Sequence, residues 1–116
     1  MRKSATKYVP DRGHIIWLDF APQRGHEQAG KRPALVLSPH RYNEKTSLAI
    51  CCPITRKVKG YPFETVLPKK LNTEGAILCD HVKNLDWRVR RATFIEETPL
   101  EIVSDVLAKL ECLLKG

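Results

Sequence analysis

The order of apolar and polar residues along the chain predicts several short strands separated by polar turns, followed by one helix. Apolar runs of about four to eight residues, rich in β-branched and aromatic side chains, are typical of strands. Such runs occupy residues 14–21, 32–38, 47–54, 61–68 and 76–86, and the stretch 87–95 is expected to extend the sheet. We expect residues 1–13 to form a loose lead-in and residues 39–46 to form a turn that includes one helical turn.

Residues 98–116 have the features of an amphipathic helix. Thr98 is a favourable N-cap, Pro99 suits the first helical position, and Glu101 completes a capping box. Apolar residues then recur at steps of three and four, at Leu100, Val103, Leu107, Leu110 and Leu114. We expect this face to pack on the protein's own sheet, because so short a helix is marginal alone. The pattern predicts a mainly β protein, with a small, strongly bent sheet or barrel covered by a C-terminal helix.

Length and composition favour a single globular domain over residues 1–116, with 42% hydrophobic and 28% charged residues. No apolar run approaches the ~20 residues that span a membrane. The N-terminus is basic but lacks the apolar segment of a signal peptide. We therefore expect a cytoplasmic protein that makes no membrane contact.

The cysteines and histidines do not suggest a metal site. The cysteines, at positions 51, 52, 79 and 112, form no CxxC pair and lie in apolar stretches. We interpret them as small buried side chains in a reducing compartment. The four histidines lack the spacing of metal ligands. We expect neither a metal nor another cofactor.

Positive charge is concentrated in the first part of the chain. Residues 1–91 contain eighteen basic and eight acidic residues, whereas residues 92–116 contain two basic and five acidic residues. The whole chain has a net charge of +7. A basic body with an acidic last segment is compatible with a polyanionic partner on one side of the protein.

Two polar clusters lie beside apolar strands, where small β-rich proteins commonly place their sites. The first, in the stretch "RGHEQAGKR" (24–32), contains Glu27, Lys31 and Arg32. The second follows the third strand and consists of Thr55, Arg56, Lys57 and Lys59. If these strand ends meet, a carboxylate, a guanidinium and a hydroxyl would surround one phosphate.

That set of groups suits cleavage of RNA without a metal. The RNA's own 2′-OH is the nucleophile, so the protein needs a base, cations for the charge on the phosphate oxygens and a donor for the leaving oxygen. The nearby aromatic side chains of Tyr61, Phe63 and Trp87 are candidates for stacking on unpaired bases.

Each candidate also has an ordinary structural interpretation. Glu27, Lys31 and Arg32 would form a solvated loop with a weak surface ion pair, and Thr55 would satisfy backbone groups at a strand end. Trp17, Phe20 and Phe63 would belong to the core. The residues alone indicate a basic β-rich domain directed at phosphodiesters.

Six stretches, taken in order, resemble the MazF/PemK family of toxin endoribonucleases, and most closely its MazF branch. They are "YVPDRGHIIWLDF" (8–20), "GHEQAGKRPALVLSP" (25–39), "YNEKT" (42–46), "CPIT" (52–55), "KGYPFE" (59–64) and "DHVKNLDWRVR" (80–90). The resemblance implies a small SH3-like barrel with a C-terminal helix, and a homodimer. It also implies a toxin that cuts single-stranded RNA, chiefly mRNA, without a metal and leaves 2′,3′-cyclic phosphate and 5′-OH ends. A cognate antitoxin would block the RNA groove with an acidic, partly disordered segment.

The resemblance also assigns roles to residues of this chain. Arg32 and Thr55 match the family's catalytic arginine and its phosphate-contacting threonine, and Glu27 matches the loop acid that acts as the base. The implied RNA contacts are Gln28, Lys31, Arg56, Lys59 and Tyr61.

Two departures from the family pattern affect these assignments. Arg56 and Lys57 stand where the family has more neutral residues, so the contacts to the substrate are expected to differ from those of the family. Leu78 stands where the PemK branch has a catalytic arginine, which puts a catalytic role for Asp80 in doubt.

Two other functions are compatible with such a basic barrel. One is a nucleic-acid-binding module without catalytic activity, and the other is a toxin of related fold that poisons gyrase and cuts no RNA.

Overall fold

The computed structural model describes residues 7–20 and 30–116 and shows a mainly β protein with a long C-terminal helix, as predicted. The elements within these residues are β1 (His14–Asp19), β2 (Lys31–Val36), α1 (His40–Thr46), β3 (Leu48–Thr55), β4 (Glu64–Val66), β5 (Ala76–Leu78), β6 (Lys83–Asp86), β7 (Thr93–Glu97) and α2 (Leu100–Lys115). The predicted turn at 39–46 is the seven-residue helix α1. The predicted strand at 61–68 is reduced to three residues.

The strands form one antiparallel sheet in the order β4-β5-β3-β2-β1-β7, and β6 also pairs with β3. The long strand β3 joins the two parts of the sheet. Its first half pairs with β6, from Leu48 opposite Asp86 to Cys51 opposite Lys83, and its end pairs with β5 through Ile54 and Thr55. In the described part of the chain no ladder connects β4 with β7, so the sheet is open and is not a closed barrel.

Alternating residues of the strands fill two apolar clusters on opposite faces of the sheet. Ile15 and Leu35 belong to the cluster that α2 covers with Val106 and Leu110. Their chain neighbours, such as Ile16, belong to a second cluster on the other face. The second cluster consists of Ile16, Leu18, Ala34, Val36, Ala49, Cys51 and Trp87, with Tyr8, Val9, Phe20, Leu85 and Ala92 packed against it.

Helix α2 differs from its prediction at both ends. Its N-cap is Pro99 and no side chain caps it, so the predicted Thr98 cap and capping box are wrong. The Thr98 hydroxyl instead donates to the carbonyl oxygen of Gly13, at 3.3 Å. Of the predicted apolar face, Leu100 and Leu114 are both 80% exposed and Leu107 is 41% exposed, whereas the buried residues of α2 are Val103, Val106 and Leu110.

The segment 7–13 is not the loose lead-in that the sequence predicts. Pro10 is buried, and its carbonyl oxygen accepts a hydrogen bond from the side chain of Asn43, at 2.9 Å. The backbone N–H of Gly13 donates to Val36, at 2.9 Å. This segment is therefore part of the folded domain.

Three of the four cysteines are buried as predicted, and Cys112 is exposed, which corrects the prediction for that residue. Burial raises the pKa of the Cys51 and Cys52 thiols to about 12. They remain protonated at neutral pH, and a protonated thiol is a poor nucleophile. Within the described residues, no helix has the length and apolarity that a membrane crossing requires.

Candidate active site

The pairing of β2 with β3 brings Arg32 and Thr55 to the same end of the sheet. The ladder between these strands includes Ala34 opposite Pro53. Arg32 and Thr55 each lie two residues beyond this pair, toward the same end of the sheet, and both line one groove there. Lys31 and Arg32 of the first predicted cluster therefore meet Thr55, Arg56 and Lys57 of the second at this strand end.

A groove of about 830 Å³ runs across this strand end. Its lining residues are Trp17, Lys31, Arg32, Pro33, Ile54, Thr55, Arg56, Lys57, Asn72, Thr73, Glu74 and Ile95. The lining has three parts. The first consists of four cationic side chains, those of Lys31, Arg32, Arg56 and Lys57, and the second is an apolar floor of Trp17, Pro33, Ile54 and Ile95. Residues 72–74 form the third side of the groove, which is polar. Cations over an apolar floor suit a ligand that presents both phosphates and bases.

The Thr55 hydroxyl is oriented by the turn that follows β3. The backbone N–H of Lys57 donates to Thr55 Oγ1, at 3.0 Å. A hydroxyl has one proton to donate and two lone pairs to accept with. Because this contact uses a lone pair, the Thr55 proton can be donated to an anionic oxygen in the groove.

Residues 72–74 were not recognised as site residues from the sequence. Glu96 on β7 holds them: its carboxylate accepts the backbone N–H of Asn72, at 3.1 Å, and both the N–H and the hydroxyl of Thr73, at 2.8 and 2.7 Å. Partial burial by itself raises the pKa of Glu96, but the bonds from the Thr73 hydroxyl and the two amides outweigh it and hold that pKa below its ordinary value. Neither spacing nor composition connects Glu96 with a turn more than twenty residues earlier.

Lys59 and Tyr61, predicted as RNA contacts, do not line the groove. They lie in the exposed loop that follows Lys57, and the Lys59 ammonium is 5.8 Å from the centroid of the Tyr61 ring. The buried carboxylate of Glu64 anchors this loop by accepting the backbone N–H groups of Lys59 and Gly60, at 3.1 and 2.9 Å.

Glu27 and Gln28 lie outside the described residues, and their predicted roles are not tested by the structure. The residues that flank their segment are held together. The N–H of Phe20 donates to the carbonyl oxygen of Gly30, at 3.3 Å. The guanidinium of Arg90 donates to the carbonyl oxygens of Asp19 and Phe20, at 3.0 and 3.2 Å. Phe20 and Gly30, the described residues on either side of this segment, therefore lie close to Lys31 at the edge of the groove.

The two tryptophans have the opposite placements to those that the sequence suggested. Trp17, interpreted as a core residue, is 41% exposed and lines the groove. Trp87, suggested for base stacking, is only 5% exposed, and its indole N–H donates to the carbonyl oxygen of Asn43, at 2.9 Å. The stacking prediction for Trp87 is wrong, and Trp17 is the aromatic candidate that the groove presents.

Asp80 and His81 are exposed side chains, 3.8 Å apart, and neither lines the groove. Among the described residues there is no cluster of three or more metal-ligating side chains. Apart from Glu74, the charged and hydroxyl groups that line the groove are guanidinium, ammonium and hydroxyl donors. Such a set can bind a phosphodiester and stabilise negative charge on it.

The family model described as PemK-like, MazF-like toxin of type II toxin–antitoxin systems matches residues 11–114. The endoribonuclease toxin MazF of Escherichia coli (strain K12) is 47% identical over 109 residues, which cover 94% of this chain and 97% of that protein. The structure of a MazE–MazF complex from Deinococcus radiodurans matches with a TM-score of 0.90 and 53% identity, covering 94% of this chain and 98% of the other. An endoribonuclease in complex with its cognate antitoxin from Mycobacterial species matches with a TM-score of 0.74 and 16% identity, covering 94% and 96% of the two chains, and shows the shared fold alone.

Proposed function

The chain belongs to the PemK-like, MazF-like family of toxins of type II toxin–antitoxin systems and is an endoribonuclease toxin, and on that premise we propose that it cuts single-stranded RNA, chiefly mRNA, at short sequence motifs without a metal ion. The observation that supports this proposal most directly is the presence of Arg32 and Thr55 in one basic groove. A guanidinium and an oriented hydroxyl at one end of the sheet match what a phosphodiester needs at its phosphorus oxygens.

The proposed reaction is an attack by the RNA's own 2′-OH on the adjacent phosphorus. Arg32 donates two parallel hydrogen bonds to the phosphate oxygens and stabilises the charge that grows there in the transition state. Thr55 donates its hydroxyl proton to another phosphate oxygen. Because the pKa of arginine is far above neutral, charge stabilisation and not proton donation is the role we assign to Arg32.

Glu27 is proposed as the base that removes the 2′-OH proton. The new bond between the 2′ oxygen and phosphorus forms as the bond to the 5′ oxygen breaks, and the departing 5′ oxygen takes a proton from water. The products are a 2′,3′-cyclic phosphate and a 5′-OH end. The requirement for a 2′-OH also makes RNA, and not DNA, the substrate.

The remaining contacts to the RNA are proposed from the charge and shape of the surface. Lys31 and Arg56 line the groove with Arg32 and contact flanking phosphates. Lys59 and Tyr61 extend this surface along the adjacent loop, with Gln28 as a further contact to the bases. Trp17 supplies an exposed aromatic face on which an unpaired base can stack.

We also propose a homodimer in the cytoplasm that is inhibited by a cognate antitoxin. The structure from Deinococcus radiodurans described above pairs a MazF chain with MazE. For the present chain, an acidic antitoxin segment would compete with RNA for the same positive field. The net charge of +7 favours such a partner.

A cleavage assay in EDTA tests the proposal. Purified protein is mixed with a long single-stranded RNA, and the fragment ends are mapped and tested for cyclic phosphate. Discrete fragments with 2′,3′-cyclic phosphate and 5′-OH ends are the expected result. RNA that is bound but intact would indicate a binding module, and intact RNA with inhibited DNA supercoiling would indicate a gyrase poison. Either outcome would overturn the proposal.

A further inference from the structure

We propose that Glu96 is a positioning residue that holds the turn at residues 72–75 as the third side of the groove and thereby sets the fit of the RNA beside Thr55. This inference rests on the proposed function and extends it to a part of the groove for which neither the sequence motifs nor the family resemblance predicts a role. Glu96 itself is not among the residues that line the groove. It acts through the turn.

The contacts of Glu96 account for both of its carboxylate oxygens. Oε1 accepts the N–H of Asn72, and Oε2 accepts the N–H and the hydroxyl of Thr73. Hydrogen bonds to a charged acceptor are stronger than those between neutral groups. One side chain therefore fixes two successive backbone amides of a turn that otherwise belongs to a long connection between β4 and β5.

A β-bulge in β7 places Glu96 where it reaches this turn. Ile15 pairs with Glu96 and Ile16 pairs with Phe94, so Ile95 is the extra residue. A bulge changes the direction of a side chain and interrupts the alternation of faces. Here Ile95 lines the groove while its neighbour Glu96 bonds to the groove's third side.

The same turn is joined to the candidate catalytic residue Thr55. Ala76, at the end of the turn, pairs with Thr55 in the ladder between β5 and β3. Gly75 passes so close to the Thr55 backbone that a Cβ atom there would lie 2.9 Å from the carbonyl carbon of Thr55. A shift of the turn would therefore be transmitted to Thr55.

The turn also brings a carboxylate into a basic groove. Of the lining residues in the described ranges, Glu74 is the one acid, opposite cations such as Lys31, Arg32 and Arg56. A carboxylate repels phosphates but accepts hydrogen bonds from the amino groups of bases. By fixing the turn, Glu96 would set where a base, and not a phosphate, fits on this side of the groove.

The test compares Glu96→Gln with Glu97→Gln. Glu97 is the next residue on the same strand; its side chain is 74% exposed and lies 3.7 Å from His14, and it does not line the groove. Both changes remove one negative charge, which by itself favours binding of a polyanion. Glutamine at 96 leaves one acceptor oxygen and turns an NH₂ group toward the turn amides, so only this variant loosens the turn. KM and kcat are measured on a short RNA containing one site cut by the wild type, and all cut positions are mapped on a long RNA.

We expect Glu96→Gln to raise KM by about tenfold, to lower kcat and to change the preferred cut positions, whereas Glu97→Gln leaves KM unchanged or lowers it. Identical behaviour of the two variants would overturn the inference. So would a loss in kcat alone with unchanged KM and cut positions, because that pattern reflects only a smaller folded fraction. If Glu96→Gln does not fold, Thr73→Val, which removes one of the three bonds, replaces it and is expected to raise KM and to change the cut positions in the same way, by a smaller amount. A wild-type protein that leaves RNA intact would refute the proposed function, whereas an active wild type with an unaffected Glu96→Gln refutes only this inference.

Discussion

Gly75 and Thr55 approach one another so closely that only glycine fits at position 75. A Cβ atom there would overlap the carbonyl oxygen of Thr55 and would lie 2.9 Å from its carbonyl carbon and 3.2 Å from the Cα of Arg56. Gly75 also has a φ of +121°, in a region that residues with a side chain rarely adopt. The packing of this turn against the end of β3 therefore fixes the distance between the third side of the groove and the candidate catalytic hydroxyl.

Replacing Gly75 with alanine is expected to reduce both stability and catalysis. The positive φ alone costs about 1–3 kcal/mol, and relief of the overlap requires the backbone of Thr55 to move. We expect kcat for RNA cleavage to fall even at temperatures where the variant is fully folded. Urea unfolding and single-turnover cleavage of a short RNA measure the two effects.

Gly13→Ala is the matched control for this change. Gly13 also has a positive φ, of +93°, but a Cβ there would make an ordinary contact of 3.6 Å with Val103, on the side of the sheet that α2 covers. It should lose stability while its folded molecules keep the wild-type kcat. A Gly75→Ala variant that cuts RNA at the wild-type rate would show that the turn does not position Thr55.

Arg32→Ala is expected to lower the rate of cleavage strongly without unfolding the protein. The side chain is exposed at the start of β2, so its removal leaves the core intact. Loss of one donor to a developing negative charge typically lowers kcat by about a hundredfold to a thousandfold, and Arg32→Lys should restore only part of it because an ammonium lacks the planar two-bond geometry. Cleavage rates and melting temperatures are the measurements.

Arg41→Ala controls for the loss of a positive charge in that experiment. Arg41 is an exposed residue of α1, which follows the opposite end of β2. Its rate constant should stay near that of the wild type at the same ionic strength. An equal loss in both variants would mean that overall charge, and not the position of Arg32, determines the rate.

The convergence of Arg32 and Thr55 could be predicted from the sequence because each residue lies at the end of a clear apolar strand. Only the pairing of those strands had to be assumed. The contribution of Glu96 could not be predicted, because it depends on a bulge in β7 and on a contact with a turn that is distant in the sequence. Long-range contacts of this kind have no local pattern.

Helix α2 illustrates the limit of a periodic pattern. The three- and four-residue spacing correctly identified Val103 and Leu110 as buried. It also included Leu100, Leu107 and Leu114, which are exposed, and it left out Val106, which is fully buried. The buried face is therefore rotated from the predicted stripe, because the position of the neighbouring sheet, and not the spacing alone, determines which apolar side chains are covered.

Thr55→Val is expected to separate the chemistry of the hydroxyl from its shape. Valine keeps the β-branched form that suits a strand end but can neither donate a proton to the phosphate nor accept the N–H of Lys57. We expect kcat to fall by about a hundredfold, with a smaller change in KM. Thr55→Ser keeps the hydroxyl and should retain most of the activity, so loss of activity in both variants to the same extent would exclude a role for the hydroxyl.

Asp105→Asn is expected to reduce the dependence of stability on pH in acid. Asp105 accepts the hydroxyl of Thr65, at 2.7 Å, and pairs with the ammonium of Lys109, at 2.9 Å, and these two contacts hold its pKa below the ordinary value of 3.8. The native state therefore binds a proton at Asp105 less readily than the unfolded chain does. Its contribution to stability is present above the unfolded pKa and is lost as the pH falls through the lower, folded pKa. We expect the free energy of unfolding of the wild type to fall more steeply than that of Asp105→Asn as the pH drops below about 5, because the unfolded chain then binds a proton at Asp105 before the native state does.

Glu111→Gln, on the same helix in an exposed pair with Lys115, is the control for removing a carboxylate, and it should keep the wild-type slope. Parallel curves for the wild type and Asp105→Asn would show that the bonds between α2 and β4 do not depend on the charge of Asp105.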